Sequence, residues 1–168
     1  MSTQIELKPW LFYVEPLPGE SLSHFLGRVR RSNHISATQL GMLAGIGAVV
    51  SRWEKFRHNP FPSMEELEAL GALLGVDVAV LSAMLPPPGE NLKMEPIRLC
   101  GACCGEDQYH RLEWQFQSTW RCERHGLLLL SRCPKCRADF DIPALWKFGS
   151  CKRCGTPYGA LKGHQKQA

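Results

Sequence analysis

Residues 1–99 contain no cysteine; all eight cysteines of this 168-residue chain fall between 100 and 154. No apolar run approaches the roughly 20 residues that a membrane-crossing helix requires. The opening "MSTQIELKPW" lacks the basic flank and apolar stretch of an export signal. A cytoplasmic setting is therefore expected, with no membrane partner. Cysteines clustered in such a setting point to metal rather than disulfides. There is no glycine loop of the phosphate-binding kind and no pairing of a nucleophile with a base, so neither an enzyme nor a small-molecule substrate is expected. Hydrophobic residues make up 44% of the chain and charged residues 21%, which is foldable rather than disordered composition.

The cysteines come in pairs with two residues between ligands: Cys100 and Cys103, Cys122 and His125, Cys133 and Cys136, Cys151 and Cys154. This spacing lets two side chains converge from one tight turn onto a tetrahedral ion. Four pairs make two complete zinc sites. Sequential pairing gives Cys100, Cys103, Cys122 and His125 to zinc one, and Cys133, Cys136, Cys151 and Cys154 to zinc two. The gaps between pairs are then 18 and 14 residues, which suits a zinc ribbon or finger. An interleaved brace is the rival; such modules keep the second and third pairs almost adjacent, whereas seven residues separate them here, and "LLLL" can form a short strand between two small cores. Each site has four protein ligands and no open position, as in structural rather than catalytic zinc. A region this small depends on the metal for folding energy. Cys104 has no pair partner and reads as a small buried thiol; His110 has no ligand partner at useful spacing.

Charge is uneven. The chain carries +4 in all; residues 1–95 hold eight basic and ten acidic groups, and residues 96–168 hold twelve and six. Seven thiolates and two zinc ions would lower the +6 of the second half to about +3. Lys135, Arg137, Lys152 and Arg153 crowd the ligand turns, where they can offset thiolate charge or meet a nucleic-acid backbone.

The first half reads as helices. Ser21 caps an amphipathic stretch with Leu22, Phe25, Leu26 and Val29 on one face. Ser36 with Gln39, and Ser63 with Glu66, form capping boxes, and Gly75 is a stop. Residues 78–84 make a last short helix. Two short helices around "GIG" suggest a helix-turn-helix, and residues 36–81 resemble the phage-repressor type. A recognition helix reads bases with polar side chains at its N-terminal end, yet here stand Gly47, Ala48, Val49 and Val50. Ala48, Val49, Arg52 and Lys55 are accordingly candidates for a protein partner, while Arg57 and His58 could reach phosphates. Trp10 and Phe12, in an extended arm where Trp10, Phe12 and Val14 alternate with their neighbours, are candidate docking residues.

The expected layout is an extended arm over 1–19, a helix-turn-helix domain over 20–85, a proline-rich linker over 86–96, zinc finger one over 97–126, zinc finger two over 127–158 and a flexible tail over 159–168. The fold class is a mostly α helix-turn-helix domain plus a small α+β zinc-ribbon or zinc-finger module.

"PLPGESLSHFLGRVRRSNHIS", with Pro16, Pro18, Gly19, Glu20 and Ser21, followed by "CERHGLLLLSRCPKC", resembles the TniQ/TnsD family of transposition proteins, and the short length is most like the TniQ of CRISPR-associated type V-K transposons. Gly101, where the family usually has an aromatic residue or proline, and Cys104 are departures that leave the ligand set intact. The resemblance implies a non-catalytic adaptor. It would link an RNA-guided CRISPR effector and its guide RNA to the AAA+ ATPase TnsC, as filament or oligomer, reach target DNA through that complex, and so sit in the prokaryotic cytoplasm at the nucleoid. The arm and helix-turn-helix would face TnsC, and the zinc module would face RNA, DNA or effector. The alternative is a zinc-ribbon helix-turn-helix DNA-binding transcription regulator.

If the ligands pair sequentially, Cys122→Ala and Cys133→Ala should each release one zinc ion, counted by a colorimetric metal assay, and unfold mainly the C-terminal half. Loss of both ions from either variant would point to interleaved sites.

Overall fold

A computed structural model describes residues 11–168. Trp10 and the rest of 1–10 lie outside the described residues.

Five helices form the first half: α1 (Leu22–Asn33), α2 (Ala37–Ala44), α3 (Val49–Glu54), α4 (Met64–Leu74) and α5 (Val78–Ser82). Their starts are set by the caps read from sequence. The Ser21 hydroxyl accepts from the His24 N–H, both capping boxes are complete, and Gly75 ends α4 in the left-handed region. Leu22, Phe25, Leu26 and Val29 of α1 pack with Leu40, Val50, Trp53, Leu70 and Leu81 in one core. Burying the apolar stripes of such short helices is what holds them, since isolated helices of this length are marginal.

The arm departs from alternation. Leu11 and Val14 pack on the helical core, while Phe12 and Tyr13 both face solvent. The cause is a pin at the end of α1: the Phe12 N–H donates to Asn33 Oδ1 (2.6 Å) and Asn33 Nδ2 donates back to the Phe12 carbonyl (3.2 Å). This holds the backbone against the helix with the Phe12 ring outward.

The second half holds α6 (Gly101–Glu106), 3₁₀ turns at Leu112–Gln115, Pro143–Leu145 and Tyr158–His164, and a two-residue antiparallel ladder of β1 (Arg121–Cys122) with β2 (Leu127–Leu128). Arg121 faces Leu128 and Cys122 faces Leu127. The leucine run continues as a bridge from Leu130 to Leu99. Its core combines the ligand cysteines with Trp114, Phe140, Trp146, Tyr158 and Leu161. The described residues thus give a mostly helical protein with a small two-stranded sheet.

Three expectations change. Residues 159–168 are not a loose tail. Leu161 is fully buried, the Leu128 N–H donates to the Lys166 carbonyl (2.9 Å), and the Ala168 N–H donates to the Gly126 carbonyl (2.9 Å). Polar composition hid this because Leu161 is the one buried side chain of the segment and hydrogen bonds hold the rest. The proline-rich stretch 86–96 is pinned to the zinc half, with the Lys93 N–H donating to the Gln115 carbonyl (2.7 Å) and the Gln117 N–H to the Asn91 carbonyl (2.8 Å). Finally, the halves share a buried seam. The Ser21 N–H donates to the His110 carbonyl (3.0 Å), and the Ser21 hydroxyl meets His110 Nδ1 (2.9 Å). Ser23 donates to the Glu54 carbonyl (2.5 Å) and accepts from the Ala144 N–H (3.1 Å). Arg31 reaches the carbonyls of Ala144 (2.6 Å) and Trp146 (3.3 Å). Phe56 of the helical half packs into the second core. Metal loss therefore cannot be contained in the C-terminal half, as α1 would lose its partners.

The seam is charged as well as close. Glu20 is fully buried, and its carboxylate accepts from the Leu17 N–H (3.0 Å) and from Arg28 (2.9 and 3.0 Å) and meets His24 Nδ1 (2.6 Å). A buried carboxylate is tolerated only with such a set of donors. Burial drives the His110 pKa down to about 3, so at neutral pH the ring is uncharged between Ser21 and Trp146.

Gly27 is where α1 meets the Pro143–Leu145 turn: a Cβ there would run into the Ala144 carbonyl. Gly27→Ala should lower stability by about 2 kcal/mol through overpacking, read as a drop in the midpoint of urea unfolding with the metal content unchanged. An unchanged midpoint would mean that the seam is loose.

Candidate metal centres and partner surfaces

Each ligand pair sits on a tight turn, and three of the four turns are built in the same way. In these three, the N–H four residues beyond the first ligand donates to that ligand's carbonyl at 2.8 Å: Gly126 to Cys122, Arg137 to Cys133, Gly155 to Cys151. The donor residue is left-handed each time, with φ of 62°, 62° and 70°. Glycine takes this conformation without strain, and Arg137 is the one non-glycine of the three. The first pair differs: Cys100 and Cys103 lie on the first turn of α6, where the Cys104 N–H donates to the Cys100 carbonyl (3.0 Å).

The turns bring the ligands together in two groups. Cys100, Cys103, Cys122 and His125 form one, and Cys133, Cys136, Cys151 and Cys154 the other, with the ligand atoms of each group all within 4.8 Å of one another. This is the sequential grouping; no interleaved group occurs among the described residues. In the first, His125 Nδ1 lies 3.3 Å from Cys103 Sγ, 3.6 Å from Cys122 Sγ and 3.8 Å from Cys100 Sγ. In the second, Cys133 and Cys154 are 3.7 Å apart at sulfur, and Cys136 and Cys151 3.5 Å. These separations exceed a disulfide bond. They match the edges of a tetrahedron about 2.3 Å in radius, the zinc–thiolate length. Hydrogen bonding to Cys100 and burial push the Cys103 thiol far above its usual range. Sulfurs this crowded cannot all ionise without a cation between them. Each group could hold a metal ion. The donor sets, three thiolates with one imidazole in the first group and four thiolates in the second, suit zinc.

Two neighbours of the first group went unseen in the sequence. Glu106 Oε1 lies 2.7 Å from His125 Nε2, so the carboxylate orients the ring with Nδ1 inward. Its other oxygen accepts from Arg124 at 2.7 Å, and these contacts, led by the His125 bond, hold the carboxyl below its ordinary pKa. Its position three residues after Cys103 on the same helix was the available signal. Gln165 Oε1 accepts from the Ala102 N–H (3.3 Å) and lies 3.7 Å from Cys100 Sγ; nothing local marks it. Cys104 is buried, and burial pushes its thiol up to about 12, as befits an inert packing residue. His110 belongs to the seam and to neither metal group.

The groups differ in exposure. Cys100, Cys103 and Cys122 are buried, whereas Cys154 is exposed and Cys136 half-buried. The basic residues around the second group are all exposed. Lys152 pairs with Asp141 (2.8 Å) and Arg153 donates to the Cys136 carbonyl (3.4 Å), while Lys135 and Arg137 have no ion pair among the described residues.

At the helix-turn-helix, Val50 is core, Val49 half-buried and Ala48 exposed. No side chain caps the start of α3. Arg52 is half-buried; Lys55 and Arg57 are exposed. His58 is half-buried, and desolvation lowers its pKa to about 4, so it brings no charge toward phosphate at neutral pH. None of these residues belongs to either metal group.

A helix-turn-helix joined to two four-ligand centres defines the class. The TniQ family model matches residues 11–129, more than half of the chain, and this chain belongs to the TniQ family of transposition-associated proteins. The match takes in the α-helices, the first metal group and the Ser21–His110 part of the seam, and ends before Cys133 and the Ala144 part. Comparison with curated proteins finds no match. No helix among the described residues is long and apolar enough to cross a membrane.

Glu106→Ala should weaken metal binding at the first group by roughly 10- to 100-fold and leave the second unchanged. Stepwise chelator competition measures this: one ion should leave the variant at a lower chelator concentration than it leaves the parent, and the other at the same concentration. Equal loss at both groups would deny Glu106 its orienting role.

Proposed function

We propose that this TniQ-family chain is a transposition targeting adaptor, of the short CRISPR-associated type V-K kind. It links an RNA-guided effector and its guide RNA to the AAA+ regulator TnsC at target DNA. The zinc ions in both groups are structural: every position is filled by protein, which leaves no site for water or substrate. The observation that carries the reading is the start of α3. Ala48 and Val49 offer no hydrogen bond where a base-reading helix needs one, so this helix-turn-helix is better suited to a protein surface than to sequence. Phe12, held outward by the Asn33 pin, adds an exposed aromatic ring to the arm. On the other side, Lys135 and Arg137 give the zinc half cations for a nucleic-acid backbone or an acidic effector surface.

Co-sedimentation of zinc-loaded protein with TnsC, an ATP analogue and duplex DNA tests this. Capture should require TnsC, and Trp10→Ala should weaken it with helicity and metal content intact. Tight, sequence-selective binding to DNA alone would instead make the chain a DNA-reading regulator.

A further inference from the structure

A groove runs from the start of α4 to the residues that follow α3, and takes in Lys55, Arg57 and His58 from the candidate surface described above. It begins between the start of α4 and the proline turn, where Phe61, Met64, Leu67, Leu85 and Pro86 line a depression of about 430 Å³. Phe61, Pro86 and Glu90 are shared with a second depression of about 620 Å³, which also takes in Phe56, His58 and Met94. Arg57, Leu92, Met94 and Gln117 carry the groove into a third, of about 510 Å³, with Lys55, Lys93 and Glu95 at its far end.

The two ends differ in chemistry. Phe61, Met64 and Met94 are 54%, 56% and 53% exposed, although each is a large apolar side chain. One such residue is ordinary on a protein surface; three along one run of connected depressions suit a docking site. The His58 ring stands edge-on to Phe61 with centroids 6.1 Å apart, which props the phenylalanine at the groove wall. At the other end Lys55, Arg57 and Lys93 form no ion pair among the described residues, and Glu95 is the one carboxylate beside them. Glu90, between the ends, is already engaged by the Ser118 hydroxyl (2.6 Å) and the Asn91 N–H (3.1 Å).

A nucleic acid needs cations and donors along its whole track, and the Phe61 end offers prolines, methionine and leucine. A small ligand needs polar groups converging on one enclosed point, and these are spread along an open channel. A peptide satisfies both ends at once: an anchor side chain fills the apolar end, and carboxylates meet the cations. We propose that this groove binds an acidic peptide segment of a partner protein, with an aromatic or large aliphatic anchor against Phe61 and Met64 and Asp or Glu residues against Lys55, Arg57 and Lys93. The proposal does not depend on the adaptor reading. It places Lys55 and Arg57, which the sequence assigned to a partner and to phosphates separately, at one carboxylate-binding end.

Display of a random peptide library on the zinc-loaded full chain, with counter-selection on Phe61→Ser, tests it. Peptides kept by the parent and lost by the variant should carry an aromatic or large aliphatic residue beside Asp or Glu. The selected peptide should bind at least tenfold more weakly to Phe61→Ser and to Arg57→Glu, measured by fluorescence anisotropy. Should Phe61→Ser lose helicity, Met94→Ser, in a loop, serves in its place for the same comparison. A basic consensus, no consensus, or binding unchanged in these variants would overturn the proposal. So would a single-stranded oligouridylate that binds in a Phe61-dependent way and displaces the selected peptide, since that would make the groove a nucleic-acid track.

Discussion

Convergence of Cys100, Cys103, Cys122 and His125 on one point fixes the course of the chain on both sides of it. The ligands come from the first turn of α6 and from the two-residue ladder of β1 with β2 and its connecting turn. Neither element could persist alone: a six-residue helix and a two-residue ladder lie far below the lengths at which helices or hairpins hold themselves. The cation that such a group can hold supplies what hydrogen bonds cannot. With α6 in place, the Tyr158–His164 turn packs on it and the C-terminal residues close over β2. With both centres in place, His110 and the Pro143–Leu145 turn, which lies between the ligand pairs of the second group, stand where α1 needs them.

The helical half is not self-contained either. Its entry turn, Pro18 to Ser21, is anchored from both halves, and the metal half supplies three of the anchors: Tyr109 donates to the Pro18 carbonyl (2.8 Å), the Leu112 N–H to the Gly19 carbonyl (2.9 Å), and Ser21 exchanges contacts with His110. All four are among the residues that carry the resemblance to the TniQ family. Their physical task is to join two half-cores, and the buried Glu20 with its His24 and Arg28 partners makes that junction specific in geometry. The proposed adaptor role would gain from this, because the proposed partner surfaces on α3 and on the ligand turns would be held in fixed relation instead of swinging on a linker.

What could be read from the chain alone was what is local. Capping boxes at Ser36 and Ser63, the stop at Gly75 and the ligand spacing all act within a few residues, and all appear in the fold as read. The contacts that were not legible span long separations. Ser23 with Ala144, His110 with Ser21, Gln165 beside Cys100 and Lys93 with Gln115 depend on which faces meet, and no periodicity encodes that. Residues 159–168 were misread for the same reason, since one buried leucine and a few long-range hydrogen bonds suffice to fix a segment whose neighbours supply the core. His58 shows the limit for charge: a histidine that looks like a phosphate ligand in sequence is neutral once the fold desolvates it.

The central claim is that the metal centres hold both halves as one unit. Hydrogen–deuterium exchange of the full chain, followed by mass spectrometry during stepwise chelation, tests it directly. The account predicts that α1 amides from Phe25 to Val29 lose protection together with α6 as metal leaves. Retained protection in α1 after complete metal removal would contradict it and make the helical half an independent domain.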